Sequence, residues 1–230
     1  MFIDDSQFDI DSLAEQETLR IGVILFPGFQ ALDVFGPLDV LNVLSRSHSL
    51  TLALLASTNE SVTTKLSQFP NGIGQSILPT HTFESTPSLD VLIVPGGLGT
   101  RESTPAVNEA ISYIQEVYPK LKYLITVCTG SGLVARAGIL DGKRATTNKR
   151  AWATITQWAP NVQWVAHARW VVDGNIWTSS GVSAGIDVTF AWIAVVYGED
   201  VARTIANGIE YVRHTDSHWD QFAELYGLKL

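Results

Sequence analysis

The chain has 230 residues, of which 46% are hydrophobic and 17% are charged, and its formal net charge at pH 7 is −8. This balance predicts a folded globular protein and argues against a disordered chain. The negative charge argues against a nucleic-acid partner, because phosphate binding needs clustered lysine and arginine.

The cysteine count and the hydropathy pattern indicate the cellular compartment in which the protein is found. Cys128 is the only cysteine, so no intramolecular disulfide can form. No apolar run approaches the ~20 residues that span a bilayer, and the acidic N-terminus lacks the basic start of a secretory signal. We therefore expect a cytoplasmic protein with no membrane partner.

Strands and helices are predicted to alternate along the chain. An acidic arm over residues 1–18 precedes a domain over residues 19–213, and a tail over residues 214–230 is expected to pack on the domain or at a dimer interface. Strands are predicted at residues 21–26, 50–56, 90–94, 122–127 and 144–147, with a strand or hairpin insert at 62–80 and a hairpin of 162–172 with 175–179. Helices are predicted at residues 31–44, 106–118, 151–158, 185–197 and 200–212, and one more ends at about Ala137.

This alternation predicts βαβ units and a mostly parallel sheet. Ligands of such sheets bind beyond the carboxyl ends of the strands. Three turns are expected at that edge, namely residues 26–28, 95–97 and 128–130.

Cys128 ends a β-branched apolar run and is followed by Thr129, Gly130 and a helical segment. A thiol at a strand-to-helix turn faces the free N–H groups of the helix, which should lower its pKa and make it a nucleophile. The arrangement is similar to the nucleophile elbow of serine hydrolases, with sulfur in place of oxygen. A buried, unreactive cysteine is the alternative, and Cys128 alone does not decide between the two.

Asp33 lies among apolar residues just after the first strand. Burial would shift it towards its protonated form, in which it could hand a proton to a reacting group. From the residue type alone, a helix N-cap is the favoured interpretation.

The turn containing Gly96 and Gly97 exposes backbone amides that could form an oxyanion hole with the amide of Thr129, although the motif taken alone favours a simple strand-ending turn. It lacks the spacing of a dinucleotide fingerprint, and the chain has no phosphate-binding P-loop, so no cofactor is expected.

None of the five histidines follows Cys128 directly, so the sequence does not indicate a Cys–His pair. The pattern His214-x-Asp216-x-His218 is the nearest to metal-ligand spacing, and a solvated tail explains it better, so no metal is expected.

Taken together, these motifs resemble the DJ-1/PfpI superfamily from about Arg20 to Tyr211. The resemblance rests on Leu32-Asp33-Val34, Val94-Pro95-Gly96-Gly97, Val127-Cys128-Thr129-Gly130, Gly138 to Thr147, and Thr178 to Asp187. The resemblance is to the isocyanide (isonitrile) hydratase branch, in which an aspartate replaces the glutamate of DJ-1. In the same branch a threonine follows the cysteine, where PfpI-type proteases and many glyoxalases have a histidine. Asp33 and Thr129 match both features. Asn148 departs from that branch, whose bacterial members commonly have a histidine there.

The resemblance implies a flavodoxin-like (class I glutamine amidotransferase-like) three-layer sandwich and a homodimer. It implies a nucleophilic Cys128 in a strained conformation, with Asp33 hydrogen-bonded to its sulfur and the amides of Gly97 and Thr129 facing the developing charge. The branch also contains sensor domains of AraC-type regulators, and we expect no such regulator here because little chain follows the last predicted helix.

The resulting prediction is a cofactor-independent enzyme that hydrates an isocyanide to an N-formamide, with Cys128, Asp33 and Thr129 as catalytic residues and Gly96, Gly97 and Thr129 binding the substrate. The alternatives are a glyoxalase-like carbonyl-processing enzyme, an enzyme of secondary metabolism whose tryptophan-rich C-terminal half shapes its pocket, and a redox-sensing or protective protein in which Cys128 is oxidised.

Overall fold

The computed structural model describes residues 17–66, 68–69 and 71–228, so nearly all of the predicted acidic arm lies outside the described residues. The strands are β1 (Leu19–Ile24), β2 (Leu50–Ala56), β3 (Val62–Thr63), β4 (Ser76–Ile77), β5 (His81–Thr82), β6 (Val91–Val94), β7 (Tyr123–Thr126), β8 (Arg144–Ala145), β9 (Gln163–Trp164), β10 (Trp170–Asp173) and β11 (Ile176–Ser179). A seven-stranded sheet in the order β10-β11-β7-β6-β1-β2-β5 forms the centre of the structure, and two short strand pairs, β3–β4 and β8–β9, lie outside that sheet.

Every neighbouring pair in the central sheet is parallel except β10 and β11, which form an antiparallel hairpin. The apolar runs of β6 and β7 are buried almost throughout, as expected for central strands covered on both faces. This mostly parallel sheet confirms the predicted α/β class.

Helices cover both faces of the sheet. One layer contains α1 (Ala31–Leu44), α5 (Ala184–Val196) and α6 (Glu199–Gly208), which contact one another, and the other contains α2 (Pro105–Val117), α3 (Gly130–Arg136) and α4 (Trp152–Trp158). The last helix is α7 (Gln221–Leu225), in the predicted tail. The result is the three-layer, flavodoxin-like sandwich that was predicted, and no helix among the described residues has the length and apolarity needed to cross a bilayer.

The strand predicted over residues 162–172 is wrong as a single element. Residues 163–164 pair in parallel with β8, whereas residues 170–173 pair with β11. Side chains bind the carbonyl groups between the two strands: Thr146 Oγ1 donates to the carbonyl of Val165 at 2.8 Å, and Lys149 Nζ donates to the carbonyl of Ala168 at 2.8 Å. These carbonyls are therefore unavailable for a continuous ladder.

The order of the central strands determines where the site can form. Strand β6 lies between β1 and β7, so the turns that follow these three strands meet at one edge of the sheet. These are the turns carrying Pro27, Gly96 and Cys128, and the juxtaposition expected from the alternating pattern is present.

Candidate active site

Cys128 lies in a sharp turn between β7 and α3, with a φ of 58° that side-chain-bearing residues rarely adopt. Three hydrogen bonds hold this strained residue. Its amide donates to the carbonyl of Ser180 at 3.0 Å, and its carbonyl accepts from the hydroxyls of Ser131 at 3.2 Å and Thr147 at 3.1 Å. Such strain costs on the order of 1–3 kcal/mol, and it persists because the surroundings fix the backbone.

The sulfur is buried among N–H donors. Asn148 Nδ2 donates to Cys128 Sγ at 3.2 Å, and the backbone amides of Thr129 and Val182 also bind the sulfur. The Asn148 side chain is itself oriented, because its Oδ1 accepts from the amide of Ala151 at 3.0 Å. Gly181 lets this side chain approach, since a Cβ there would lie 2.8 Å from Asn148 Nδ2.

The expected lowering of the cysteine pKa is wrong. Burial, the largest effect, and the negative charge of Asp33 together raise the pKa of the Cys128 thiol to about 12, against the opposing effect of the three N–H donors. Desolvation outweighs the helix terminus because the side chain lies beneath the surface. The thiol therefore rests in its protonated form and needs a base to become a nucleophile.

Asp33 lies in the first turn of α1 and is fully buried. The N-cap interpretation is wrong, because Gln30 precedes the helix and no side chain caps it. Instead, Asp33 Oδ2 accepts from the amide of Gly96 at 2.8 Å. This bond joins α1 to the turn that follows β6.

Burial raises the pKa of Asp33 to about 7, against the opposing effects of the Gly96 amide and the Cys128 thiol. The interaction with the thiol shows that the two groups are neighbours, although Asp33 Oδ1 has no hydrogen bond of standard geometry to any described residue. A carboxyl group that titrates near neutral pH beside a protonated thiol can both take and return a proton.

The amides of Gly96 and Gly97 already have partners. Gly96 donates to Asp33, and Gly97 donates to Thr129 Oγ1 at 3.0 Å. Thr100 Oγ1 lies 3.1 Å from the same Thr129 oxygen. The amides of Gly96 and Gly97 therefore hold Asp33 and Thr129 in position, and they are not free to bind an oxyanion as predicted. The amide of Thr129 faces the sulfur.

Two groups at the sulfur were not among the predicted site residues. The sequence marked Asn148 only as a departure from the family pattern. Its position directly after the strand predicted at 144–147 was the one indication that it lies near the site. The amide of Val182 had no signal, because a backbone N–H carries no residue signature. Val182 has a φ of 29°, an unusual conformation in the loop before α5.

No histidine in the described part of the chain is hydrogen-bonded to the sulfur. His167 Nε2, for example, lies 2.9 Å from the carbonyl of Leu228, and the ring of His48 contacts that of Tyr197. The described residues also contain no group of three or more His, Cys, Asp or Glu placed to hold a metal ion. Among the described residues, the acid–base partner within reach of the thiol is Asp33.

A cavity of about 290 Å³ lies next to the sulfur-binding groups, and we call it the Asn148 cavity. Its aromatic lining comes from Phe222 and Tyr226 in the C-terminal segment, not from the tryptophans. The lining residues are Asn148, Lys149, Arg150, Ser180, Gly181, Val182, Ser183, Phe222 and Tyr226.

These features define a flavodoxin-like α/β protein with a cysteine on a strained strand-to-helix turn beside a buried carboxyl group. The sequence profile of the DJ-1/PfpI family matches residues 19–194. The chain therefore belongs to the DJ-1/PfpI family.

Relatives and solved structures agree with this assignment. Isonitrile hydratase of Pseudomonas putida is 35% identical over 195 residues, which cover 84% of this chain and 78% of that protein. The HTH-type transcriptional regulator GbdR of Pseudomonas aeruginosa is 30% identical over 140 residues, covering 61% of this chain but only 37% of the regulator. The crystal structure of a ThiJ/PfpI family protein from Pseudomonas syringae has a TM-score of 0.70 at 25% identity and covers 93% of this chain and 83% of that one.

Proposed function

We propose that this protein is a cofactor-independent enzyme that hydrates an isocyanide to an N-formamide, with Cys128 as nucleophile and Asp33 as proton carrier. The observation that supports this is the pair itself: a buried thiol and a buried carboxyl group with a pKa of about 7, which interact with each other. The similarity to isonitrile hydratase of Pseudomonas putida supports the choice of substrate class.

In the first half-reaction the thiol proton passes to the Asp33 carboxylate, and the sulfur attacks the terminal carbon of R–N≡C. The carbon receives the proton back from Asp33, which gives the thioimidate R–N=CH–S–Cys128. The amides of Thr129 and Val182 and the side chain of Asn148 stabilise the sulfur while it carries charge.

In the second half-reaction water adds to the thioimidate carbon. Asp33 takes a proton from the water as it attacks and passes that proton to the nitrogen, which leaves Asp33 as a carboxylate. The C–S bond then breaks, the hydroxyl proton returns through Asp33 to the sulfur, and R–NH–CHO is released. One water is consumed, the thiol is regenerated and no electron is transferred.

The test is formamide production from cyclohexyl isocyanide, followed by NMR. We expect turnover by the wild-type protein, loss of turnover in Cys128→Ser and Asp33→Asn, and unchanged turnover in Arg203→Gln, which alters an exposed side chain outside the cavity. Lack of turnover by the wild type, or full activity in Cys128→Ser, would overturn the proposal.

The same assay separates the alternatives. A glyoxalase-like enzyme would convert methylglyoxal to lactate, and a redox sensor would show selective two-oxygen addition at Cys128 under mild peroxide. The raised pKa of Cys128 disfavours the sensor, because oxidation follows the thiolate fraction.

We further propose that the protein is a homodimer. Leu32 and Phe35 are 41% and 45% exposed on α1, on the same helix as Asp33, and such apolar exposure is typical of an interface. Sedimentation should show a dimer for the wild type and a monomer for Phe35→Lys. A monomeric wild type would contradict this.

A further inference from the structure

The Asn148 cavity has walls from two distant parts of the chain. One wall consists of residues 148–150 and 180–183, which include the sulfur partners Asn148 and Val182. The opposite wall consists of Phe222 and Tyr226, in the segment after the last large helix. At about 290 Å³, the cavity is just below the ~300–1,000 Å³ that small-molecule sites occupy.

A buried ion pair fixes the second wall. Lys149 Nζ lies 3.6 Å from Asp220 Oδ2, and both side chains are almost fully buried. Asp220 Oδ1 also accepts from the amide of Phe222 at 3.1 Å, which caps α7. The carboxylate thereby joins the helix bearing Phe222 to the residue adjacent to Asn148.

Further contacts hold the segment on both sides of Asp220. The amide of His214 donates to Asp187 Oδ1 at 3.0 Å, and the carbonyl of Ser217 accepts from the amide of Arg169 at 2.8 Å. At the far end, the carbonyl of Leu228 lies 2.9 Å from His167 Nε2. The segment is thus part of the folded wall of the site.

This wall lies outside the part of the chain that the family profile matches, which ends at residue 194. The cysteine turn and Asp33 lie inside it. The aromatic wall of the cavity therefore comes from a different part of the sequence than Cys128 and Asp33.

The cavity also carries an uncompensated positive charge. Lys149 is paired with Asp220, whereas Arg150 is exposed and makes no hydrogen bond or ion pair with any described residue. A free guanidinium at the cavity of a protein with a net charge of −8 would attract an anionic group, above all a carboxylate.

We propose that Phe222 and Tyr226, held in place by the C-terminal segment, form the substrate-selecting wall of the site, and that the isocyanide admitted there has an aromatic or bulky apolar body and a carboxylate. Phe222 and Tyr226 contact the body, and Arg150 pairs with the carboxylate. This assignment rests on the proposed function for the reaction, but its binding part can be tested without turnover.

The turnover test compares 4-isocyanobenzoate with 4-tolyl isocyanide, which matches it in shape but is neutral. In the wild type we expect kcat/KM to be about tenfold higher for 4-isocyanobenzoate than for 4-tolyl isocyanide, which is the effect of one charge-assisted contact. In Arg150→Gln the two values of kcat/KM should be equal. Phe222→Ala should lower kcat/KM for both substrates about fivefold to tenfold, as expected for the loss of an aromatic contact. Leu225→Ala, which changes a 70% exposed residue of the same helix outside the cavity, is the matched control.

The binding test uses Cys128→Ser, which cannot form the thioimidate, and titrates it with 4-formamidobenzoate or 4-methylformanilide in a calorimeter. Arg150→Gln in this background should weaken only the carboxylate ligand, and Phe222→Ala should weaken both. If these dependences appear while the wild type turns over neither isocyanide, the proposed reaction fails and the wall assignment stands. If the wild type turns over both substrates equally and neither substitution changes binding or kcat/KM, the wall assignment is overturned.

Discussion

Asn148 Nδ2 donates a hydrogen bond to Cys128 Sγ at 3.2 Å across a sequence separation of 20 residues. A carboxamide can stabilise a thiolate but cannot take its proton. The proton must therefore go to another neighbour, and Asp33, with a pKa raised to about 7, has the right acidity to receive it. Stabilisation of charge and transfer of the proton are thus assigned to two different side chains.

Replacement of Asn148 by leucine should make the thiol still less acidic. Leucine keeps the sulfur covered but removes a donor that lowers the pKa of Cys128. We expect the rate of alkylation by iodoacetamide at pH 9 to fall about tenfold, the equivalent of one unit of thiol pKa. Ser183→Ala, which alters the same cavity without a bond to the sulfur, should leave the rate unchanged. An unaltered rate in Asn148→Leu would show that this amide does not control the acidity of the sulfur.

Asp33→Asn should separate the acidity of the thiol from catalysis. The charge of Asp33 raises the pKa of Cys128, so its removal should increase the alkylation rate at neutral pH. Hydration should nevertheless fall by roughly 10²- to 10⁴-fold, because no carboxyl group remains to carry the proton. An asparagine oxygen can still accept from the Gly96 amide, so the turn keeps its position. Parallel loss of alkylation and hydration would indicate a structural effect instead.

The same carboxyl group should make stability depend on pH. The pKa of Asp33 is raised from an ordinary value near 4 to about 7, so the folded protein binds more protons than the unfolded chain between these values. Its contribution to stability is therefore fully present below pH 4 and is lost as the pH rises through 7. The full change amounts to at most about 4 kcal/mol.

Urea unfolding at pH 5 and pH 8 can measure this loss. Asp33→Asn has no titrating group at this position, so its free energy of unfolding relative to the wild type should increase from pH 5 to pH 8. A constant difference between the two proteins at both pH values would contradict the raised pKa of Asp33.

The central strands and the position of Cys128 could be predicted because each depends on local sequence. A continuous apolar run defines a buried strand such as β6, and small residues after Cys128 define the turn into α3. The position of Asp33 beside the thiol was implied by the family resemblance, whereas the residue type alone favoured a helix N-cap.

Other features could not be predicted because they depend on depth and on distant contacts. The helix start after Cys128 suggested an acidic thiol, but only the folded structure shows the burial that reverses the pKa shift. The split of residues 162–172 depends on hydroxyl and ammonium groups of Thr146 and Lys149 that bind its carbonyls. The wall formed by Phe222 needs a contact between residues 149 and 220, which no local pattern reveals.

Lys149 and Asp220 form a buried ion pair, and breaking it should destabilise the folded protein. Asp220→Ala leaves an uncompensated ammonium group that is 1% exposed, so we expect a loss of about 3–5 kcal/mol in the free energy of unfolding. The double variant Lys149→Met with Asp220→Leu removes both charges and should recover part of that loss, although the carbonyl of Ala168 and the amide of Phe222 lose their partners. Breaking the exposed pair of Arg203 and Asp200 by Arg203→Ala should cost less than about 1 kcal/mol. Urea denaturation compares the four proteins, and a loss in Asp220→Ala no larger than that in Arg203→Ala would show that the pair does not hold the C-terminal wall.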